Sequence, residues 1–155
     1  MLVGGLAAAV LLGKSREPTG SSDEPQERHA TVRQALHVGP ATVIVELART
    51  PEEWARGLSE RNSLPQEGGM LFVFPTAEPR TFWMKDTRIS LDMIWVRDGK
   101  VIGITVDVPP ERGVVDAVLR RYPSPGGVDH VLEVNAGWAA EHDVKIGDAV
   151  TLSGL

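Results

Sequence analysis

The segment from Gly68 to Asp98 constrains the fold most, because it collects most of the large apolar side chains. It contains all three Phe, two of the four Trp and three of the four Met residues of the 155-residue chain. Large apolar side chains gain stability by leaving water, so this segment must supply much of a core. Within it, Trp83-Met84-Lys85-Asp86 places charges beside a large aromatic residue and indicates the edge of a site. No residue set in the segment completes a catalytic mechanism.

Length and charge set the outer limits. A chain of 155 residues fits one domain plus a tail. Its net charge of -5 argues against a nucleic-acid partner, and it offers no basic patch for anionic lipids. The absence of cysteine excludes disulfides, thiolate zinc sites and cysteine nucleophiles.

The N-terminal part is expected to be separate from the folded domain. Residues 1–13 form an apolar segment that resembles the core of a signal peptide or the end of a membrane anchor. As a helix, its apolar run would extend only about 17 Å, which is too short to span a bilayer. A loose apolar tail is the alternative. Residues 14–31 are polar and predict a flexible linker, and residues 32–155 predict a single β-rich domain. We therefore expect an extracytoplasmic protein whose only membrane contact is through the N-terminal segment.

The first elements of the domain have clear local signals. Apolar residues alternate along 41–48 and predict a strand with Val43, Val45 and Leu47 on one face. Thr50 and Glu53 form a capping-box pattern around Pro51, which predicts a helix that continues to about residue 60. Residues 70–74 and 81–87 predict two further strands, separated by a proline-containing turn.

Asp98-Gly99 predicts a β-hairpin, because this pair favours a two-residue type I′ turn. The turn pairs Arg97 with Lys100 and, by alternation, Trp95 with Ile102 and Ile94 with Gly103. One apolar face then holds Leu91, Met93, Trp95, Ile102, Ile104 and Val106. Gly103 would leave space above Ile94 in which a group could pack or bind.

The remaining chain predicts short elements around a long loop. Residues 111–127 predict an extended surface loop with a short helical turn at 114–119. Residues 129–135 and 149–152 predict strands, and Asn135 is expected to cap a helix over 137–142. The fold class is therefore α+β: a compact β-rich barrel or rolled, mostly antiparallel sheet of six or seven short strands with two short helices.

Several segments in one order resemble the domain of unknown function 192 family. They are Arg56-Gly57-Leu58, residues 69–74, residues 82–87, residues 91–94, residues 131–134, Ala136-Gly137 and residues 144–148. The resemblance covers about residues 42–152. It implies a small β-rich domain in prokaryotes, often behind a signal or membrane anchor, and no established activity. The family pattern usually has Asn at the position of Asp86.

The polar residues near Trp83 are the main candidates for a ligand site. If Phe82 and Met84 point into the core, Trp83 and Lys85 point outward or into a groove, and Asp86 points inward to a partner such as Arg56. Trp83, Lys85, Asp86 and Asp92 would then form a polar cluster that could hold a small polar ligand or a sugar. A rim ion pair beside a half-buried Trp83 is the structural alternative.

Two further residues belong to the candidate site. Arg56 could cover the core, form a pair with Glu133 or Asp92, or bind an anion. Asp86, Asp92 and Glu133 could act as acid and base in a hydrolase, although a chain with 21 acidic residues offers many such pairs. The four His residues lack metal-binding spacing, and we predict no metal and no cofactor.

These patterns favour an exported or membrane-tethered binding or accessory module. Its ligand would be a small polar molecule, a glycan or a protein partner, and the module is expected to be a monomer. A carboxylate-dependent hydrolase and a purely structural interaction domain are the alternatives. A deep pocket with a carboxylate of raised pKa would favour an enzyme, whereas a shallow groove with an exposed Trp would favour binding.

Overall fold

The computed structural model describes residues 33–153. The predicted apolar segment at 1–13 and linker at 14–31 lie outside the described residues. Over the described range the chain forms seven strands, two short helices and one 3₁₀ turn. In chain order these are β1 (Arg33–Val38), β2 (Ala41–Ala48), α1 (Pro51–Arg56), β3 (Gly68–Phe82), β4 (Leu91–Arg97), β5 (Lys100–Val108), the 3₁₀ turn (Asp116–Val118), β6 (Tyr122–Asn135), α2 (Trp138–Glu141) and β7 (Val150–Leu152).

The strands form one rolled sheet in the order β5-β4-β6-β3-β2-β1-β7. Only the neighbouring strands β2 and β3 run parallel, joined through α1, and the other pairs are antiparallel. The sheet curls until the first residues of β5 meet the segment before β7. There the Val101 N–H donates to the Asp148 carbonyl over 2.9 Å, and the Val150 N–H donates to the Gly99 carbonyl over 2.8 Å. The predicted α+β class with a rolled, mostly antiparallel sheet is confirmed.

Both faces of the central strands are buried. Along β4, Ile94 and Val96 enter one apolar cluster, whereas Met93 and Trp95 enter a second cluster on the opposite face. Most of the aromatic residues lie in the second cluster, which also receives Leu58 from the segment after α1. This second cluster forms the base on which the candidate site is built.

Helix α1 begins as the sequence predicts and ends earlier. The Glu53 N–H donates to the Thr50 hydroxyl over 3.3 Å, and the Thr50 N–H donates to the Glu53 carboxylate over 3.0 Å. The helix stops at Arg56 because Gly57 adopts a positive φ of 46°, which ends the helical turn. The predicted extension to residue 60 is therefore wrong.

Residues 68–82 form one long strand instead of the two predicted ones. Pro75 and Pro79 lie inside β3, where the pairing with β6 shifts register between Val73 and Glu78 and again after Pro79. Such irregularities accommodate prolines, which cannot donate to a ladder. The partner strand β6 begins at Tyr122, so the end of the predicted 111–127 loop is part of the sheet.

The hairpin forms with a bulge that changes its register. Arg97 pairs with Lys100 as predicted, but Trp95 lies opposite Gly103 and Ile94 lies opposite Ile104. Ile102 is the additional residue, so the predicted Trp95–Ile102 pair does not form. Beyond the bulge, Val106 is 60% exposed and does not belong to the core face.

Gly103 does not leave an open space above Ile94. A Cβ atom at Gly103 would lie 2.7 Å from Pro125 Cγ and 3.3 Å from Trp95 Cδ1. Pro125 of β6 already occupies the space beside this glycine. The predicted binding space at Gly103 is therefore filled by the protein itself.

Candidate functional site

Trp83 points away from the core, as the alternation predicts. It is 37% exposed, whereas Met84 is fully buried and Phe82 is partly buried. Phe82 packs edge-on against Phe72 and Trp95, with ring centroids 4.9 Å and 5.5 Å apart. This aromatic packing holds the chain in place just before Trp83. Trp83 lies one residue beyond the end of β3, so the alternation continues although the strand has ended.

A cavity of about 80 Å³ lies beside Trp83. Four of the six predicted site residues line it: Arg56, Trp83, Lys85 and Glu133. The other lining residues are Trp54, Ala55, Gly57, Leu58, Ser59, Phe72, Thr81, Phe82 and Thr87. The space is enough for several water molecules or for the polar end of a small ligand. The cavity combines aromatic walls with a few polar groups, which is the usual composition of a ligand site.

Glu133 is the buried carboxyl group of this cavity. It lies on β6 between Met70 of β3 and Met93 of β4, and it is 4% exposed. Among residues 33–153 its carboxyl group has no hydrogen bond or ion pair, and burial raises its pKa from 4.5 to about 8. Water solvates a carboxylate far better than an apolar core does, so the neutral form is favoured. At pH 7 Glu133 is therefore mostly protonated and can donate a hydrogen bond.

Two residues that sequence reasoning missed complete the rim beside Trp83. The Lys85 ammonium lies 2.7 Å and 2.9 Å from the two carboxylate oxygens of Asp116. The Arg121 guanidinium lies 4.2 Å from the Trp83 ring centroid and also donates to the Asp116 carbonyl over 3.3 Å. Both partners come from the segment that was predicted to be a surface loop. Its basic residues were the only signal that could have pointed to this contact.

Hydroxyl groups fix the backbone of the same rim. The Ser59 hydroxyl donates to the Lys85 carbonyl over 2.9 Å, and the Thr87 hydroxyl donates to the same oxygen over 3.4 Å. The Ser59 bond joins the segment after α1 to the segment after β3, whereas the Thr87 bond is local to the latter segment. Lys85 also forms an isolated bridge with Glu111. The rim residues are thus held by neighbours on both sides.

Arg56 is an exposed residue at the mouth of the cavity. It is the last residue of α1 and follows the capping box by one turn. In the part of the chain that the structure describes, it forms no ion pair with Glu133 or Asp92, so the predicted pairing does not occur. Its guanidinium is therefore available to a ligand that enters the cavity.

Asp92 does not belong to this cavity. It is fully buried, and its carboxylate accepts hydrogen bonds from the backbone N–H groups of Asp107 (2.9 Å), Gly137 (3.0 Å) and Ala139 (3.1 Å). It thereby replaces Asn135 as the cap of α2. Asn135 instead donates its side-chain amide to the Pro65 carbonyl over 2.9 Å. The structure thus places Asp92 outside the cavity that four other predicted site residues line, with its carboxylate engaged by backbone N–H groups.

Asp86 is exposed, and the prediction that it points inward is wrong. Its backbone has a positive φ of 53°, and its carbonyl accepts a hydrogen bond from the Glu60 N–H over 2.9 Å. Asn and Asp tolerate this left-handed conformation better than other residues that carry a side chain. Asn, which the family pattern usually has at the position of Asp86, tolerates the same positive φ. Asp86 lines a different surface depression, together with Glu60, Arg88 and Arg112.

Residues 33–153 bring together neither a metal-binding cluster nor the predicted set of acidic residues. No group of three or more His, Asp or Glu side chains in 33–153 is placed to hold a metal ion. Of the acidic residues that the structure describes, Glu133 alone lines the Trp83 cavity, since Asp86 and Asp92 lie elsewhere. The site therefore has one neutral acid, aromatic walls and a basic rim.

This fold and site define a small rolled-sheet protein with a polar cavity at the end of its longest strand. The chain belongs to the DUF192 family, described as "Uncharacterized ACR", whose family model matches residues 31–152. The resemblance noted from the sequence segments is confirmed. No curated protein matches this chain.

Solved structures share this fold, among them the following two. One is a protein from Sinorhizobium meliloti 1021 described as a "putative transcription regulator", with 30% identity and a TM-score of 0.72 over 81% of this chain and 97% of that one. The other is a protein of unknown function from Novosphingobium aromaticivorans DSM 12444, with 35% identity and a TM-score of 0.67 over 77% of this chain and 84% of that one. Within the described residues, no helix is long and apolar enough to cross a membrane.

Proposed function

We propose that this protein is a binding module for a small polar ligand, which it holds in the cavity beside Trp83. The observation that carries the proposal is the Glu133 carboxyl group, which is buried, lacks a partner within 33–153 and lines an open cavity. An unpaired buried polar group costs stability. A ligand that supplies the missing hydrogen bond offsets that cost, so binding explains why such a residue is tolerated.

The exposed Trp83 supports the same function. Large aromatic side chains at a cavity mouth provide contact area to a ligand and are costly to leave in water. Trp83 is held in position by Arg121 and by the chain on either side of it. A preformed wall of this kind reduces the ordering cost of binding.

The two alternatives have weaker support. The raised pKa of Glu133 is a feature expected of an enzyme, but a paired-carboxylate hydrolase needs two acids about 5 to 10 Å apart across a cleft. Among residues 33–153, Glu133 has no second acid in its cavity. A purely structural interaction domain does not require a buried carboxyl group that faces an opening. We propose no transcription-regulator role like that in the description of the S. meliloti protein, because a net charge of -5 disfavours binding to nucleic acid.

The location of the module is a separate proposal that rests on the apolar N-terminal sequence. We propose that the domain works outside the cytoplasm, tethered or exported through that segment. A reporter enzyme that is active only after export should be active when it is fused to the C-terminus of this chain. Loss of that activity on deletion of residues 1–13 would agree with the proposal, whereas activity without them would contradict it.

An NMR screen of the full chain tests the binding function. The probes are a panel of small carboxylates, amides, amines and monosaccharides, and the signal is the Trp83 indole N–H resonance, identified with Trp83→Phe. We expect at least one probe to shift this resonance with saturation. Trp83→Ala lacks that signal, so the backbone amide resonance of Ser59, which also lines the cavity, is followed in both proteins, and the affinity in Trp83→Ala should be at least fivefold lower. Ile146→Ala is the control, since Ile146 is exposed and does not line the cavity. A panel without a saturable shift would reject the binding function.

A further inference from the structure

The mouth of the Trp83 cavity is basic although the whole chain is acidic. Arg56 and Lys85 line it, and Arg121 lies on Trp83. Of these three cations, only Lys85 has a carboxylate partner, Asp116, in the described part of the chain. The net charge at the mouth is therefore positive, in a chain of net charge -5. A charged group that enters the cavity passes these cations first.

The inner part of the cavity offers a hydrogen-bond donor. Glu133 is buried and mostly protonated at pH 7. The hydroxyl hydrogens of Ser59 and Thr87 are already donated to the Lys85 carbonyl. The Glu133 O–H is therefore a buried donor that still lacks an acceptor within 33–153. A group that accepts hydrogen bonds and carries negative charge matches both the inner donor and the basic mouth.

We propose that the ligand of this cavity carries a carboxylate group, which enters past Arg56 and accepts a hydrogen bond from the Glu133 carboxyl group. The proposal rests on the binding function above and names the chemical class of the ligand. A hydrogen bond from a neutral acid to a carboxylate is short and strong because the acceptor is charged. Arg56 can hold the same carboxylate through its fork of N–H donors.

A cationic ligand fits the same residues less well. Aromatic faces attract cations, but the Trp83 ring already has Arg121 at 4.2 Å and Lys85 at 5.8 Å from its centroid. The protein's own cations therefore occupy the surroundings that an ammonium group would need. An ammonium group would also require ionised Glu133 at the inner end of a basic entrance.

The protonation of Glu133 gives the proposal a pH signature. The charged residues that face the cavity are Arg56 from α1 and Lys85 from the segment after β3, while the strands beside Glu133 present Met70 and Met93. Neither Arg nor Lys changes its charge much between pH 7 and 9. With a Glu133 pKa of about 8, the protonated fraction falls about tenfold over that interval. Carboxylate affinity should fall by about the same factor.

Three probes of similar size and different charge test the ligand class: propionate, propionamide and propylammonium. Each is titrated against the full chain and followed at the Trp83 indole N–H. We expect propionate to bind about tenfold more tightly than the other two. Arg56→Gln should lower propionate affinity about tenfold and leave propionamide affinity within twofold. Arg97→Gln is the matched control, since Arg97 is also exposed and lies at the end of β4, away from the cavity.

A second variant separates a donor role from a structural role. Glu133→Gln keeps a neutral donor, so it should retain propionate affinity within threefold at pH 7 and lose the decrease between pH 7 and 9. Equal or tighter binding of propionamide or propylammonium would overturn the carboxylate inference while leaving the binding function intact. Tighter binding of inorganic phosphate than of propionate would also overturn it, in favour of a phosphate ligand. Propionate affinity that rises with pH would show that Glu133 does not donate.

Discussion

The Asp92 carboxylate on β4 accepts a hydrogen bond from the Gly137 N–H over 3.0 Å, which joins the centre of the sheet to the start of α2. The same oxygen accepts from Ala139, and the other carboxylate oxygen accepts from Asp107 on β5. One buried side chain thus satisfies donors from two different elements. A four-residue helix cannot form without such tertiary contacts, because helix nucleation is unfavourable.

Asp92→Ala should therefore destabilise the protein by about 3–5 kcal/mol. The substitution leaves three backbone N–H groups without their acceptor, and each unsatisfied buried donor costs about 1–3 kcal/mol. Urea unfolding followed by tryptophan fluorescence measures the change. Asp98→Asn is the control, because Asp98 is exposed in the hairpin turn, where Asn is also favoured. A loss below about 1 kcal/mol for Asp92→Ala would contradict the anchoring role.

Trp95→Ala should cost about 3–5 kcal/mol, because it removes a large side chain from the aromatic cluster. Trp95 is buried, packs edge-on against Phe82 and donates its indole N–H to the Thr105 hydroxyl over 2.8 Å. The same denaturation assay applies. Val106→Ala on the adjacent strand is the control and should change stability by less than about 0.5 kcal/mol, since Val106 is exposed.

Gly103→Ala should destabilise by about 1–3 kcal/mol, because the new methyl group has no space. Its Cβ would lie 2.7 Å from Pro125 Cγ, and a proline ring has little freedom to move away. Gly126→Ala on β6 is the matched control, since a Cβ there meets nothing within 4 Å. Thermal unfolding of the two variants compares the positions directly. Equal stability of both variants would mean that the bulge, and with it the position of Pro125, is wrongly placed.

Local signals predicted the fold class, and long-range contacts decided the remaining details. The capping box at Thr50 and the Asp98-Gly99 turn depend on residues a few positions apart, so the sequence indicates them directly. The bulge at Ile102 lies beside Gly103, which packs against Pro125 on another strand. The alternation of apolar and polar residues does not reveal where a strand contains a bulged residue. The predicted pairs between β4 and β5 beyond Val96 are therefore out of register.

In the candidate site, too, features set by nearby residues were predicted and features set by distant residues were not. Alternation along 82–85 correctly placed Met84 inside and Trp83 outside. Asp92 also alternates as predicted, but its three backbone partners come from β5 and α2, and no pattern near Asp92 indicates them. Arg121 contacts Trp83 and Asp116 contacts Lys85, each across more than thirty positions of the chain. Contacts of this kind become visible only after the chain has folded.

Glu133 makes folding stability depend on pH in a direction opposite to that of most acidic residues. Its pKa is about 8 in the folded protein, against the ordinary value of 4.5. Below pH 4.5 the group is protonated in both states, so it changes nothing. Between pH 4.5 and 8 only the unfolded state loses the proton, so stability falls as the pH rises. The full shift corresponds to at most about 5 kcal/mol, and the loss is complete above pH 8.

Glu133→Gln should remove this loss, because the amide stays neutral at every pH. We expect the variant and the parent protein to unfold at the same urea concentration at pH 4, and the variant to be more stable by several kcal/mol at pH 8.5. Glu46→Gln provides the contrast, since hydrogen bonds from Arg61 at 2.6 Å and 2.8 Å lower the pKa of Glu46. Its stabilising contribution is present above pH 4.5 and is lost as the pH falls, so Glu46→Gln should destabilise at pH 7 and have little effect at pH 3. If Glu133→Gln is less stable than the parent at pH 8.5, the buried carboxyl group has a partner that stabilises its charged form, and its role as a donor to the ligand is excluded.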